Sequence, residues 1–179
     1  MKALKPYNIQ FVGLKIGAHK FDYDIDNSFF HHFEYDDFNA AKLKVDIHLE
    51  KKTTLLEFQF KVNGTVNVNC DLTNEPFNQN IEDQFNLIVK FGEAYNDTNE
   101  EILIIPHGEY QINVAQYIYE LIILAVPVKK VHPGVEDGTL KSDILEKLKT
   151  LSPDVNESEE QQKETDPRWD NLKKLLTDK

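Results

Sequence analysis

Cys70, the only cysteine of this 179-residue chain, ends an alternating apolar run in "TVNVNCDLTNEPFNQNI" (65–81), just before a proline turn. A thiol can serve as a nucleophile, as a metal ligand or as a small core hydrophobe. Nucleophilic catalysis needs a base beside the thiol and a group that orients the base, and structural zinc needs four ligands. The sequence assembles neither set around Cys70. "DYDIDNSFFHHFE" puts Asp22, Asp24 and Asp26 at the first three ligand positions of a calcium loop. Asn27 stands at the obligatory glycine, however, and Phe33 at the closing glutamate. His31 and His32 are adjacent and so do not share a face of a regular element. His48 falls on a solvent face, and His107 precedes a turn at Gly108. The seven glycines form no phosphate loop or nucleophile elbow, and there is no His-Glu-x-x-His. The expectation is a protein without catalytic residues, cofactor or metal.

The elements that would carry these residues are mostly strands. Leu43, Val45, Ile47 and Leu49 alternate with Lys44, Asp46, His48 and Glu50, which is the period of a strand with one buried face. The pattern recurs in Leu56, Phe58, Phe60 and Val62, then in Val66, Val68 and Cys70, and later in Phe85, Leu87, Val89 and Phe91. Phe21, Tyr23 and Ile25 are expected inward with the neighbouring acids outward, ahead of an aromatic segment through Phe38. "KVNGTV" resembles a hairpin turn at Asn63 and Gly64, but a two-residue loop would oppose the two strands' apolar and polar faces. A three-residue loop, Val62 to Gly64 with Gly64 left-handed or alternatively Asn63 to Thr65, repairs this and sets Leu56 opposite Cys70. On that inner face Cys70 reads as a small hydrophobe whose pKa burial raises.

Beyond "ILIIP" the period becomes helical. Asn113 and Gln116 have capping-box spacing, Ile118, Leu121, Ile122 and Ala125 form a stripe, and Pro127 stops the helix. Lys129, Lys130 and His132 follow, where cations complement the helix dipole. A second helix is expected from Thr139 to Leu151 with Leu140, Ile144, Leu148 and Leu151 on one side. The fold class is thus α+β: an antiparallel meander or partly closed barrel packed with one or two helices, in one domain over residues 1–151.

The segment 152–165 has one apolar residue in fourteen and reads as a flexible acidic linker. "DPRWDNLKKLL" then offers Asp166 as N-cap, Pro167 at the first helical position, and Trp169, Leu172 and Leu176 at helical spacing. With Arg168 alongside, residues 166–179 read as a short amphipathic docking helix, for this chain or for a partner.

Net charge is −11, and both parts are acidic: residues 1–133 hold 12 Lys against 19 acids, and residues 134–179 hold 8 Lys and Arg against 12 acids. Such a balance disfavours tight, direct nucleic-acid binding but does not disfavour a basic protein partner. A lone cysteine, no apolar leader in "MKALKPYNIQ" and no stretch long enough to span a bilayer point to the cytoplasm, without membrane contact.

Taken together, the strand ending in Cys70, "NEPF" with Pro76 and Phe77, "INVAQYIYELIILAVP" and "DPRWDNLKKLL" resemble the YceD family of bacterial and plastid proteins, over about Leu43 to Leu176. That resemblance implies a role in accumulation of large-subunit ribosomal RNA. Many members carry Cys-x-x-Cys where this chain has Cys70, Asp71, Leu72 and Thr73, so the zinc or redox role of that motif loses its second thiolate here. The implied function is that of a large-subunit assembly factor, acting through a ribosomal protein or pre-ribosomal particle and touching ribosomal RNA indirectly or weakly. The rival reading is direct RNA binding by a lysine strip, with Lys42, Lys44, Lys51, Lys52, Lys129 and Lys130 as its candidates.

Overall fold

The computed structural model of the protein describes residues 4–99, 101–140 and 142–151. The chain divides into two units, Met1–Leu140 and Lys141–Lys179.

The first unit is built on a six-stranded sheet of order β2-β3-β4-β5-β7-β6. Its strands are β2 (Gly17–Ile25), β3 (Ala40–Lys51), β4 (Leu55–Asn69), β5 (Pro76–Gly92), β6 (Asn96–Asn99) and β7 (Ile102–Pro106). The first four form an antiparallel meander, as the alternation predicts. β7 then inserts beside β5 in parallel, with β6 antiparallel outside it. Among the described residues β2 and β6 remain the two edges, so the sheet is open and the barrel closure is not realised. β1 (Asn8–Gln10) and β8 (Gln111–Asn113) make a separate two-stranded pair.

The three-residue loop expected at Val62–Gly64, or alternatively at Asn63–Thr65, does not form. β4 runs straight through, and Gly64 lies between Leu43 on β3 and Ile81 on β5. The buried positions Leu56, Phe58, Phe60, Val62, Val66, Val68 and Cys70 are all even-numbered, so one unbroken strand already keeps them on one face. The loop preserved that parity, but the parity never required a turn. Leu56 consequently lies near the start of β4 and Cys70 just past its end, not across from one another. Gly64 is needed for a different reason. Its φ is +148°, and an added Cβ would collide with the Lys42 carbonyl oxygen and lie 2.8 Å from Leu43 Cα. Here β3 and β4 approach too closely for a side chain.

One face of the sheet is covered. Helix α2 (Ala115–Ala125) packs on β4 and β5 and buries Ile118, Leu121 and Ile122. It ends as Pro127 requires, with Val126 as C-cap. Its start differs from the capping box. Val114 is the N-cap, the Asn113 Oδ1 accepts from the Ala115 N–H at 3.0 Å, and Gln116 turns instead to Glu120 at 2.9 Å. The Asn113 side-chain nitrogen separately donates to the Leu4 carbonyl at 3.0 Å, which ties β8 to the start of the described chain. Helix α1 (Asn27–His31) is capped by Asp26 and buries Phe29 and Phe30, and Phe33 just beyond it stacks on Tyr119 of α2 at 4.3 Å. Leu43, Val45, Ile47 and Leu49 are buried, as is Ile25, with Phe21 and Tyr23 half-buried.

After α2 come α3 (Pro133–Glu136) and, in the second unit, α4 (Asp143–Leu151). Helix α4 starts later than the pattern suggests. Thr139 is held by Asp137, with its N–H on Oδ1 at 2.9 Å, while Leu140 donates back to the Gly134 carbonyl at 2.8 Å. Ser142 then accepts from the Ile144 N–H at 3.4 Å. No described helix is long and apolar enough to cross a membrane.

Candidate functional site

The turn between β4 and β5 is organised around the Cys70 sulfur. Asn74, at φ 59°, folds the chain back so that its N–H reaches the Cys70 carbonyl at 2.8 Å, while the Cys70 N–H donates to Glu75 at 2.9 Å. Inside this loop Sγ accepts from the Thr73 side chain and from the Leu72 and Thr73 backbone, and the His132 N–H reaches it at 3.3 Å from the segment after α2. Thr73 is itself buried, 3% exposed. Asp71 fastens the same segment twice: its N–H donates to the Lys130 carbonyl and its Oδ2 accepts from the Lys130 N–H, each at 2.7 Å. His132 meets the Phe77 ring edge-on at 5.5 Å and accepts the Gly134 N–H on Nδ1 at 2.9 Å, which leaves the neutral ring's proton on Nε2. Pro76 opens β5 opposite Asn69, and the next residue, Phe77, pairs with Val68.

Cys70, Thr73, Pro76 and Phe77 therefore come together as a clasp that grips residues 130–134. One expectation is corrected. Burial does push the Cys70 thiol up, but the donors from Thr73, His132 and Leu72 outweigh it, and its pKa lies below the ordinary value. No local pattern around Cys70 signals this, because His132 stands 62 residues away. At 2% exposure the sulfur remains shielded.

The remaining chemistry-bearing residues disperse. Asp22 and Asp24 lie on the exposed face of β2, opposite Asp46 and Lys44, and Asp26 is spent capping α1 through Ser28, which lowers its pKa. His31 pairs with Asp36 at 3.2 Å on the surface. Among the described residues no three His, Cys, Asp or Glu side chains converge on a metal position.

The lysine candidates do not gather either. Lys51 Nζ is held by the Phe11 and Leu14 carbonyls at 2.7 and 2.8 Å, and Lys52 pairs with Glu57 at 2.5 Å. Lys42 and Lys44 face outward from β3, with Lys44 directly across from Asp24. Lys129 and Lys130 belong to the segment that Asp71 holds. The docking candidates Pro167, Arg168, Trp169, Leu172 and Leu176 lie outside the described residues.

A feature that the sequence reading missed is a groove of about 930 Å³ between α2 and the β5–β7 side of the sheet. Its signal was available in "YIYELIILA", which is more apolar than one buried stripe requires. Leu124 is 80% exposed as a result.

Neither the curated proteins nor the solved structures compared with the chain give a match. The family described as Large ribosomal RNA subunit accumulation protein YceD matches over residues 58–176. That span enters inside β4 and takes in the Cys70 clasp, the groove, α2 and the "DPRWDNLKKLL" ending. With about two thirds of its length so matched, the chain belongs to the YceD family.

Proposed function

We propose that the protein is a non-enzymatic factor in large ribosomal subunit biogenesis, which supports accumulation of large-subunit ribosomal RNA through protein contacts. Its partner is a basic ribosomal protein or a precursor particle in the cytoplasm, and ribosomal RNA is touched indirectly or weakly. Membership of the YceD family supplies the process. The observation that carries the protein-contact reading is the state of the lysines. Lys51 and Lys52 are committed to carbonyls and to Glu57, and Lys44 faces Asp24, in a chain of net charge −11. A nucleic-acid site needs free cations in register with phosphates; here the Lys51 ammonium is engaged by carbonyls, Lys52 is ion-paired, and Lys44 has an acid at the facing register position.

In this reading the Cys70 clasp is structural, holding the end of α2 and its sequel in place, and residues 166–179 act as a tethered docking helix centred on Trp169. The test is affinity purification of the full chain from cells across a series of salt concentrations, with bound protein and RNA identified. Large-subunit proteins or precursors retained at moderate salt support the reading. Their absence at low and moderate salt alike refutes it. RNA retained without protein, and lost steeply with salt, favours the lysine strip instead.

A further inference from the structure

The groove between α2 and the β5–β7 side of the sheet has an apolar floor and an acidic rim. Phe85 and Leu87 of β5, Leu103 and Ile105 of β7, and Leu121 and Leu124 of α2 supply the apolar surface. Asp83, Asp97, Glu109 and Glu120 stand around it, and among the described residues that line it there is no Lys, Arg or His.

Asp83 is the most informative of the four acids. It occupies a core-face position of β5, between Ile81 and Phe85 in the alternation and opposite Val62 of β4, yet it is exposed. An acid on the apolar face of a strand weakens packing unless it meets solvent or a cation, and this one opens into the groove. The acids also act on one another's neighbours from opposite walls. Tyr117 of α2 stacks over Phe85 at 6.3 Å, and its phenol is pushed up to about 12 by burial first and then by Tyr95, Glu120 and Asp97. Tyr95 in turn donates to Asp97 at 3.2 Å. Negative potential from α2 and from β6 thus overlaps above an apolar surface. Such a field repels phosphate and attracts cations.

We infer that this groove docks a cationic amphipathic segment of another protein, with its apolar side chains on the floor and its Lys or Arg side chains against Asp83, Asp97, Glu109 and Glu120. The inference rests on the protein-contact reading above and specifies where that contact is made. Charge complementarity selects the occupant: a neutral apolar segment would leave four carboxylates without counter-charge, and an acidic or phosphate-bearing one would be repelled.

The experiment uses the full chain and two synthetic helical peptides of equal length, one of Leu and Lys and one of Leu and Glu. Binding is followed by anisotropy of a fluorophore on the peptide. The variants are Asp97→Lys with Glu120→Lys on the rim, Leu124→Glu on the wall, and Glu82→Lys on the opposite face as control. All four positions are exposed, and circular dichroism checks that each variant folds. The Leu and Lys peptide should bind, weaken with added salt, and lose about tenfold or more in affinity with the rim or wall variants but not with the control. Equal binding of both peptides, or indifference to the rim and wall variants, overturns the inference. So does displacement of the probe by a peptide of residues 166–179 at lower concentration than by the unlabelled Leu and Lys peptide, which would make the chain's own end the occupant. Loss of a dimer in Leu124→Glu on sedimentation also overturns it, in favour of a second copy. The same variants in the purification separate the two claims: large-subunit proteins retained equally by wild type and groove variants sink the groove alone, whereas none retained by wild type sinks the functional reading and leaves the peptides to judge the groove.

Discussion

The backbone N–H of His132 donates to the sulfur of Cys70 at 3.3 Å, joining the β4–β5 turn to the segment that leaves α2 across 62 residues of chain. With the two Asp71–Lys130 bonds at 2.7 Å, this contact fixes the end of α2 relative to the sheet. The cysteine is thus an acceptor inside a structural joint.

Replacing Cys70 should therefore separate acceptor capacity from size. Cys70→Ser keeps an atom that accepts from His132 and should cost about 1 kcal/mol, whereas Cys70→Val leaves that N–H and the Thr73 hydroxyl unpaired and should cost about 2 kcal/mol. Urea unfolding measures both. A valine variant as stable as wild type would contradict the joint.

The same donors set a pH dependence. Their bonds lower the folded pKa of Cys70 below the 9.0 of the free thiol. Between those two values the native state has already released a proton that the unfolded chain still binds, so stability rises with pH through that window and is fully gained above about 9. It is lost as pH falls through the folded value. The stability difference between wild type and Cys70→Ser should accordingly widen from neutral pH towards 9. A difference independent of pH would mean that the thiol stays protonated.

Gly64 distinguishes a strand from a turn. In a left-handed turn, asparagine replaces glycine at little cost. In the strand, any Cβ meets the Lys42–Leu43 backbone, so Gly64→Asn and Gly64→Ala should both destabilise by about 2–4 kcal/mol. Thermal unfolding of the two variants decides the matter.

Trp169→Ala should impair partner recruitment and leave the melting temperature of the protein nearly unchanged if residues 166–179 dock in trans. Calorimetry alongside the purification provides the check. A large fall in melting temperature would show that the segment is buried on its own chain instead.

Much of the sheet was legible because alternation is a local property: Leu43 to Leu49, Leu56 to Val62 and Phe85 to Phe91 each announce which face is buried. The helix stop at Pro127 was legible for the same reason. The errors arose where a local signal met a tertiary demand. Asn63–Gly64 looks like a turn, but the glycine serves a close approach to β3. Asn113 has capping spacing, but the N-cap falls one residue later, at Val114, and Asn113 Oδ1 accepts from the Ala115 N–H instead. The parallel insertion of β7 beside β5 and the donor shell of Cys70 depend on residues far apart in sequence, and no local period encodes them. The groove was half legible, in the surplus apolar residues of α2, while its acid rim is gathered from separate elements.

The most direct test of the central claim is the salt-resolved purification of the full chain, with bound protein and RNA quantified together. The account predicts large-subunit ribosomal proteins or precursor particles retained at moderate salt, with recovery insensitive to Lys42→Glu and Lys44→Glu. Retention of ribosomal RNA alone, abolished by those two changes, would contradict it.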